Sequence, residues 1–334
     1  MTDGVPARGS LRSRGAAAVS AYTLRPITSV IPPERAWGLW LSRQIIAGIM
    51  GTFGPSLAGT RVEPVDTTLP DGRRVKGEWV YGPRTPTSET QRSSTSVGAI
   101  YYVHGSGYAV CSPKTHRRLT SWLSSLTGLP VFCVDYRLAP RHRFPTAADD
   151  VHAGWDWLVN TYGVPPKQLV IAGDSAGGHL SVDLLLQPEV EHPAAQVLFS
   201  PLYDLTFALS LARERIRPDP ATRAANAVRL VSLYHDGVDL THGRLTLDVA
   251  GGPALPPTLI QAGGAEMLQG DARQLADDIH TAGGRCELQI WPHQVHVFQA
   301  LPRMTPEVAK AMAYVARFIA HALQDARIPA EEAR

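Results

Sequence analysis

Leu169-Val170-Ile171-Ala172-Gly173-Asp174-Ser175-Ala176-Gly177 is the stretch that decides the fold: an apolar run ending in a serine set between two glycines. Four consecutive apolar residues without alternation fit a strand buried on both faces. A strand that turns abruptly into a helix holds its turning residue in a strained backbone conformation, and small residues two before and two after keep the turn free of clashes. The hydroxyl then stands at the top of a sheet, where a nucleophile belongs. The five-residue pattern alone arises by chance in roughly one chain in ten of this length, so the reading requires partners elsewhere.

Outward from this stretch, short apolar runs alternate with helical stretches, the pattern of an α/β fold around a mostly parallel sheet of about eight strands. Strands are expected at Arg61-Val65, Val75-Tyr81, Val97-Val103, Val131-Asp135, Leu169-Ala172, Gln196-Ser200, Thr258-Ala262 and Cys286-Trp291. The first two form a hairpin through Pro70-Asp71-Gly72, and Gly82 to Ser96 reads as a solvated loop. Helices are expected over Lys114–Leu126, Pro145–Tyr162, Ser175 to about Gln187, and Thr305–Gln324. Residues 205–256 break the rhythm with arginine-rich helical segments, and with residues 1–58 they form a lid over the C-terminal edge of the sheet, where open α/β folds bind ligands. The core is then 59–204 and 257–334.

A serine is a poor nucleophile until a histidine takes its proton and an acid orients that histidine. In folds with an elbow the partners follow in the order serine, acid, histidine. His296, after the strand ending at Trp291, is the candidate base, and His293 is its competitor. His179, one turn past the elbow, points away from the hydroxyl or into packing. Glu266, in the loop opened by Gly263-Gly264, is the candidate acid; Asp271 is the alternative, and a helix cap is its other role. His104-Gly105-Ser106-Gly107-Tyr108 follows the strand ending at Val103. The amides of Ser106 and Gly107, with that of Ala176, are placed to hold the negative charge of an attacked carbonyl. A dinucleotide fingerprint fails there because Val110 stands in place of the third glycine, and His293-x-x-His296 lacks a third metal ligand at recognisable spacing, so no metal or other cofactor is expected.

Composition narrows the partners. The 334 residues are 44% apolar with a formal net charge of +2, and the cations are scattered among acids, which excludes nucleic acid as the main partner. Three cysteines, Cys111, Cys133 and Cys286, make no disulfide framework, and a reducing cytoplasm is the expected location. Arg8, Arg12 and Arg14 before the apolar patch Ala16 to Leu24 imitate a signal peptide, but polar residues interrupt the patch and no small-residue cleavage site follows. Trp37 to Met50 places Trp37, Trp40, Leu41, Ile45 and Ile49 at helical spacing: a helix packed on the protein's own core or pocket, or one touching a lipid or membrane surface. Arg213, Arg215 and Arg217 read as solvated, with an anionic-substrate clamp as the sharper alternative.

Four segments in this order resemble the hormone-sensitive-lipase-like branch of the α/β-hydrolase superfamily: His104-Gly105-Ser106-Gly107, Asp135-Tyr136-Arg137-Leu138-Ala139-Pro140, Gly173-Asp174-Ser175-Ala176-Gly177-Gly178, and Gly264-Ala265-Glu266-Met267-Leu268 with His296. The resemblance covers roughly Val62 to Phe318. It implies an α/β-hydrolase fold with an α-helical cap, and a serine carboxylesterase acting on small esters of short to medium acyl chain through Ser175, His296 and Glu266. It also implies supporting roles for His104, Gly105 and Asp174, a structural role for Asp135 to Pro145, and a monomer or a homodimer. An acyltransferase or amidase would use the same acyl-enzyme. A ligand-binding receptor on this scaffold is the reading from another class, and retention of His296 argues against it. Ser106 stands where the family has a glycine, and glutamate where many relatives have aspartate.

Overall fold

The computed structural model describes residues 4–86 and 98–327; the rest of the expected 82–96 loop, and Val97 of the third expected strand, lie outside them. Eight strands form one sheet in the order β1-β2-β4-β3-β5-β6-β7-β8. They are β1 Arg61–Thr68, β2 Arg74–Tyr81, β3 Ala99–Val103, β4 Val131–Val134, β5 Leu169–Asp174, β6 Ala195–Phe199, β7 Thr258–Gly263 and β8 Cys286–Trp291. The β1–β2 and β2–β4 pairs are antiparallel and the others parallel. Between β1 and β2 the chain reverses at the expected turn, with Gly72 N–H donating to Leu69 O at 2.9 Å.

The helices are α1 Leu11–Tyr22, α2 Leu24–Val30, α3 Ala36–Phe53, α4 Pro113–Thr127, α5 Thr146–Asp156, α6 Ala176–Leu185, α7 Ala208–Ile216, α8 Ala224–His235, α9 Gln269–Thr281 and α10 Glu307–Asp325. Local chemistry sets the ends of α4. Pro113 opens it, Ser112 N–H donates to Thr115 Oγ1 at 3.1 Å, and Gly128 closes it in the left-handed conformation at φ 72. The helix expected over 145–162 is α only to Asp156. Trp157–Thr161 then widens by one residue per turn, with Tyr162 N–H reaching Trp157 O at 2.7 Å. This widening accompanies the packing of Trp157 against Phe132 at 4.9 Å and Trp79 at 6.3 Å, contacts made across the fold and not by the helix itself.

The central strands are mostly apolar because both faces are covered. Tyr101, Phe132, Leu169 and Ile171 join one core with Val151, Leu158 and Leu180 of the α5–α6 side. Ile100, Val131, Val170 and Val197 join the other with Leu119 of α4 and Val308 and Val315 of α10. Tertiary burial, not intrinsic preference, makes α6. Its two glycines cost about 1 kcal/mol each against alanine, whereas each fully buried aliphatic such as Leu180, Val182, Leu184 or Leu185 returns about 1.5–3 kcal/mol.

β4 and β5 flank β3 on opposite sides, so the strand order reverses there, and a crevice opens beyond the carboxyl ends of β3 and β5. Among the described residues, no helix is long and apolar enough to cross a membrane.

Candidate active site

Ser175 sits between β5 and α6 at φ 50 and ψ −122, a conformation that costs an ordinary residue about 1–3 kcal/mol. Backbone bonds on both sides enforce it: Ser175 N–H donates to Phe199 O at 3.0 Å, and Ser175 O accepts from Leu202 N–H at 3.0 Å and Gly178 N–H at 2.9 Å. The flanking glycine is obligatory for another reason. A Cβ on Gly177 would lie 2.0 Å from Val103 O, so the elbow can press against the end of β3 only without a side chain there.

The loop after β3 turns through three consecutive positive φ values, 80 at Ser106, 59 at Gly107 and 60 at Tyr108. Gly105 N–H donates to Asp174 Oδ1 at 3.1 Å, and a Cβ on Gly105 would stand 2.3 Å from Asp174 Oδ2. Asp174 thus pins this loop beside the elbow. Its buried carboxylate also accepts from Tyr102 Oη at 2.8 Å and faces His116 Nε2 at 3.3 Å. Burial pushes the Asp174 pKa up, but the charge and hydrogen bond of His116, with the Tyr102 hydroxyl, outweigh it and hold the group below its ordinary value. His104 lies under the loop, stacked on Tyr136 at a centroid distance of 4.2 Å; burial, then the neighbouring His116, lowers its pKa to about 3. It is therefore a neutral packing group. Ala176 is the first residue of α6, where a backbone N–H has no intrahelical acceptor.

His296 follows β8, and its Nδ1 lies 2.5 Å from Glu266 Oε2. The other carboxylate oxygen accepts from Gly263 N–H at 2.6 Å, so Glu266, 1% exposed, is held on both sides. Burial disfavours the imidazolium, but the hydrogen bond and charge of Glu266, with Asp219 and Asp174 at longer range, outweigh it and raise the His296 pKa above its usual value. Ser106, Gly107, Asp174, Ser175 and His296 all line one cavity of about 820 Å³. Much of the remaining wall comes from α1–α3 and from the 207–231 stretch, with Ile45, Ile49, Leu24, Phe207, Leu230 and Val231 among the apolar groups, and residues after β7 and β8, including Met267, Leu268, Ala300 and Leu301, complete it. The signal-like patch from Ala16 to Leu24 therefore runs along α1 to the start of α2, and Ala16, Val19 and Leu24 line this space.

The alternatives fall elsewhere. Asp271 is buried in the first turn of α9, but it does not reach His296 and its principal bonds are not to its own helix. Oδ1 accepts from Tyr203 N–H at 3.0 Å and Asp204 N–H at 2.9 Å, fixing the loop after β6. His293, at φ 60, packs by the N-terminal segment near Gly9 and lines a separate small void. His179 is buried, with Nε2 3.0 Å from Leu245 O. Arg213 departs from both readings made of it, because it donates to Gly264 O at 3.0 Å and so steadies the Glu266 loop from α7. Arg215 and Arg217 are exposed.

Three contributors carried no sequence signal. His116 meets Asp174 from α4. Asp219 Oδ2 accepts from Met267 N–H at 2.8 Å, beside Glu266, and Ser200 Oγ accepts from Val297 N–H at 3.1 Å, beside His296. Each acts across at least 48 residues of chain, and no local spacing betrays such a partner.

A buried switch-point sheet, a strained serine after β5 and a carboxylate-bound histidine after β8 define the class as an α/β hydrolase. Residues 100–300 match a family model described as the alpha/beta hydrolase fold. Esterase LipU of Mycobacterium tuberculosis is 37% identical over 232 residues, 67% of this chain and 78% of that protein. An acetyl-hydrolase of Streptomyces hygroscopicus is 32% identical, over 70% of this chain and 79% of its own length. Among solved structures, an esterase of the bacterial hormone-sensitive lipase family superposes with a TM-score of 0.77 at 27% identity, over 93% of this chain and 97% of that one. The chain belongs to the α/β-hydrolase family, in its hormone-sensitive-lipase-like carboxylesterase branch, and is an enzyme of the ester-hydrolase class.

Proposed function

We propose that the chain hydrolyses small carboxylic esters of short to medium acyl length through a Ser175-His296-Glu266 triad and an acyl-enzyme intermediate. The observation that carries this reading is the 2.5 Å hydrogen bond of His296 Nδ1 to Glu266 Oε2, with His296 lining the same cavity as Ser175. Ser175 Oγ attacks the ester carbonyl as its proton passes to His296 Nε2. Glu266 keeps the other ring proton on Nδ1 and stabilises the imidazolium. The amides of Ser106, Gly107 and Ala176 receive the oxyanion, each worth about 3 kcal/mol of barrier. The imidazolium then protonates the leaving alcohol, and a water molecule, deprotonated by the same ring, releases the acid. Residues 1–58 and 205–256 serve as the cap that selects the ester, a reading supported by the cavity walls they supply.

The base must be neutral to act, so kcat/KM falls as pH drops through the raised His296 pKa. The acid limb of the profile should therefore lie above the ordinary histidine value of 6.5. A kcat/KM profile on p-nitrophenyl acetate whose limb sat below that value would contradict the His296–Glu266 pairing.

Asp271 is outside this chemistry, and its substitution separates the two acids. Burial, opposed by the Asp204 and Tyr203 N–H groups, raises its pKa to about 7. A raised folded-state pKa makes the carboxylate's contribution most favourable below its unfolded value and progressively lost as pH climbs toward 7. An asparagine side chain at this position would keep the oxygen acceptor without the buried charge. Asp271→Asn should then change kcat by less than about threefold, while its Tm exceeds wild type at pH 8 and the gap closes toward pH 4. A large loss of kcat with Glu266→Gln nearly silent would move the acid to Asp271.

A further inference from the structure

Arg43 is the one charged residue of α3, a helix of 18 residues. It stands in the inward series Leu39, Arg43, Ile46, Met50, whose intervals of four, three and four keep one helix face, and both ends of that series are buried. A half-buried charge on such a face needs a strong acceptor. Among the described residues the guanidinium meets no carboxylate; Nη2 and Nε both donate to Ala109 O, at 2.7 and 3.2 Å. Arg43 is not among the groups that line the cavity, so its effect on a substrate has to pass through that carbonyl.

Ala109 lies in the loop that carries the Ser106 and Gly107 amides. Its carbonyl and the Val110 N–H are the two ends of one peptide group, and that N–H donates to Ser106 O at 3.2 Å. Ser106 O is in turn one end of the peptide group whose other end is the Gly107 N–H. In a planar trans peptide the C=O and N–H point in opposite directions, so holding Ser106 O toward Val110 fixes the direction of the Gly107 N–H. The series therefore runs from the guanidinium through two peptide groups to an oxyanion donor, and each hydrogen bond polarises the next. Because it starts on a cation, it makes the Gly107 N–H a stronger donor.

The loop needs such a hold. Ser106 and Tyr108 keep positive φ values of 80 and 60 without being glycine, a conformation that persists only where the surroundings impose it. Asp174 anchors the loop at Gly105 N–H, and Ala139 N–H anchors it at Tyr108 O, at 3.0 Å. The Ala109–Val110 peptide is anchored from α3 instead, by Arg43.

We propose that Arg43 is a positioning residue for the oxyanion hole, orienting and polarising the Gly107 N–H through the Ala109–Val110 and Ser106–Gly107 peptide groups. The inference rests on the ester-hydrolase reading with Gly107 N–H as an oxyanion donor. It makes α3 part of the catalytic apparatus as well as a wall of the cavity.

The test is turnover of p-nitrophenyl acetate by the full chain, together with inhibition by an alkyl trifluoromethyl ketone, whose adduct with Ser175 sets an oxyanion in the same hole. Arg43→Met removes the charge and both donors. Its kcat should fall about tenfold, a fraction of the roughly 10² to 10³ that follows loss of a whole oxyanion donor, with KM kept within about twofold. Affinity for the ketone should fall by the same factor as kcat/KM, because both report stabilisation of the transition state. Arg43→Lys retains one charged donor and should lose about threefold in both quantities, and it carries the test alone if Arg43→Met does not unfold cooperatively. A group that only braced the fold would lower Tm and leave the ketone affinity where it was. The proposal is overturned if the folded variants keep wild-type kcat, if the loss appears in KM, or if ketone affinity does not follow kcat/KM. A wild type that neither turns over ester nor forms the ketone adduct would sink the hydrolase reading and this inference together, whereas an active wild type matched by Arg43→Met would sink the inference alone.

Discussion

Ser175→Ala should lower kcat for a short p-nitrophenyl ester by on the order of 10⁶-fold, because no second group can form the acyl-enzyme. The fold should survive. The substitution removes one oxygen, and the bonds from Phe199, Leu202 and Gly178 that fix the turn are all to the backbone. Ser175→Gly makes the cost of the site visible. It deletes the hydroxyl and also relieves the φ of 50, so it should be as inactive as the alanine variant yet more stable by about 1 kcal/mol. Denaturant midpoints of the three proteins check the stability ordering. Substantial turnover by either variant, after contaminating hydrolase is excluded, would rule out Ser175 as the nucleophile.

Glu266→Gln should lower kcat by roughly 10³ to 10⁴-fold with little change in KM. The reason is the tautomer. In the wild type the carboxylate accepts from Gly263 N–H with one oxygen and from His296 Nδ1 with the other. A glutamine that keeps its oxygen on Gly263 N–H turns its NH₂ toward Nδ1, which must then be unprotonated. The ring proton moves to Nε2, the atom that has to receive the serine proton. Lost charge adds to this effect, since Glu266 is the principal group raising the His296 pKa. The acid limb of the residual activity should therefore move to lower pH. A loss of a few-fold, with an unmoved limb, would mean that Glu266 only supports the loop.

The fold was legible in the sequence wherever a strand was buried on both faces. The run Leu169 to Ala172 and its neighbours announce themselves as continuous apolar stretches, and the observed strands differ from expectation by a few residues at most. The positions of Ser175 and Glu266 were legible because each follows an apolar strand through glycines, and that of His296 because it follows the alternating edge strand β8 by the short turn Pro292-His293-Gln294. The helix after Pro145 was read as uniform because no local signal marks its widening at Trp157, which accompanies aromatic packing across the fold. Asp271 was read as a cap for its own helix because a carboxylate in a first turn usually is one. Its actual donors, Tyr203 and Asp204, lie 67 or 68 residues away in sequence. The outer face of α3 defeated simple periodicity in a different way. Trp37, Trp40, Ile45 and Ile49 all fit a helical repeat, but Ile45 and Ile49 face the cavity while the two tryptophans face out.

The most direct test of covalent chemistry at Ser175 is mass spectrometry of the intact and digested protein after treatment with a fluorophosphonate ester, a probe that stops at the phosphorylated nucleophile. Acyl-enzyme chemistry at Ser175 predicts a single stoichiometric adduct on the peptide containing Gly173-Asp174-Ser175-Ala176-Gly177. That adduct should be absent from Ser175→Ala and strongly slowed in Glu266→Gln. An adduct on any other residue, or none in a preparation that turns over p-nitrophenyl acetate, would contradict it.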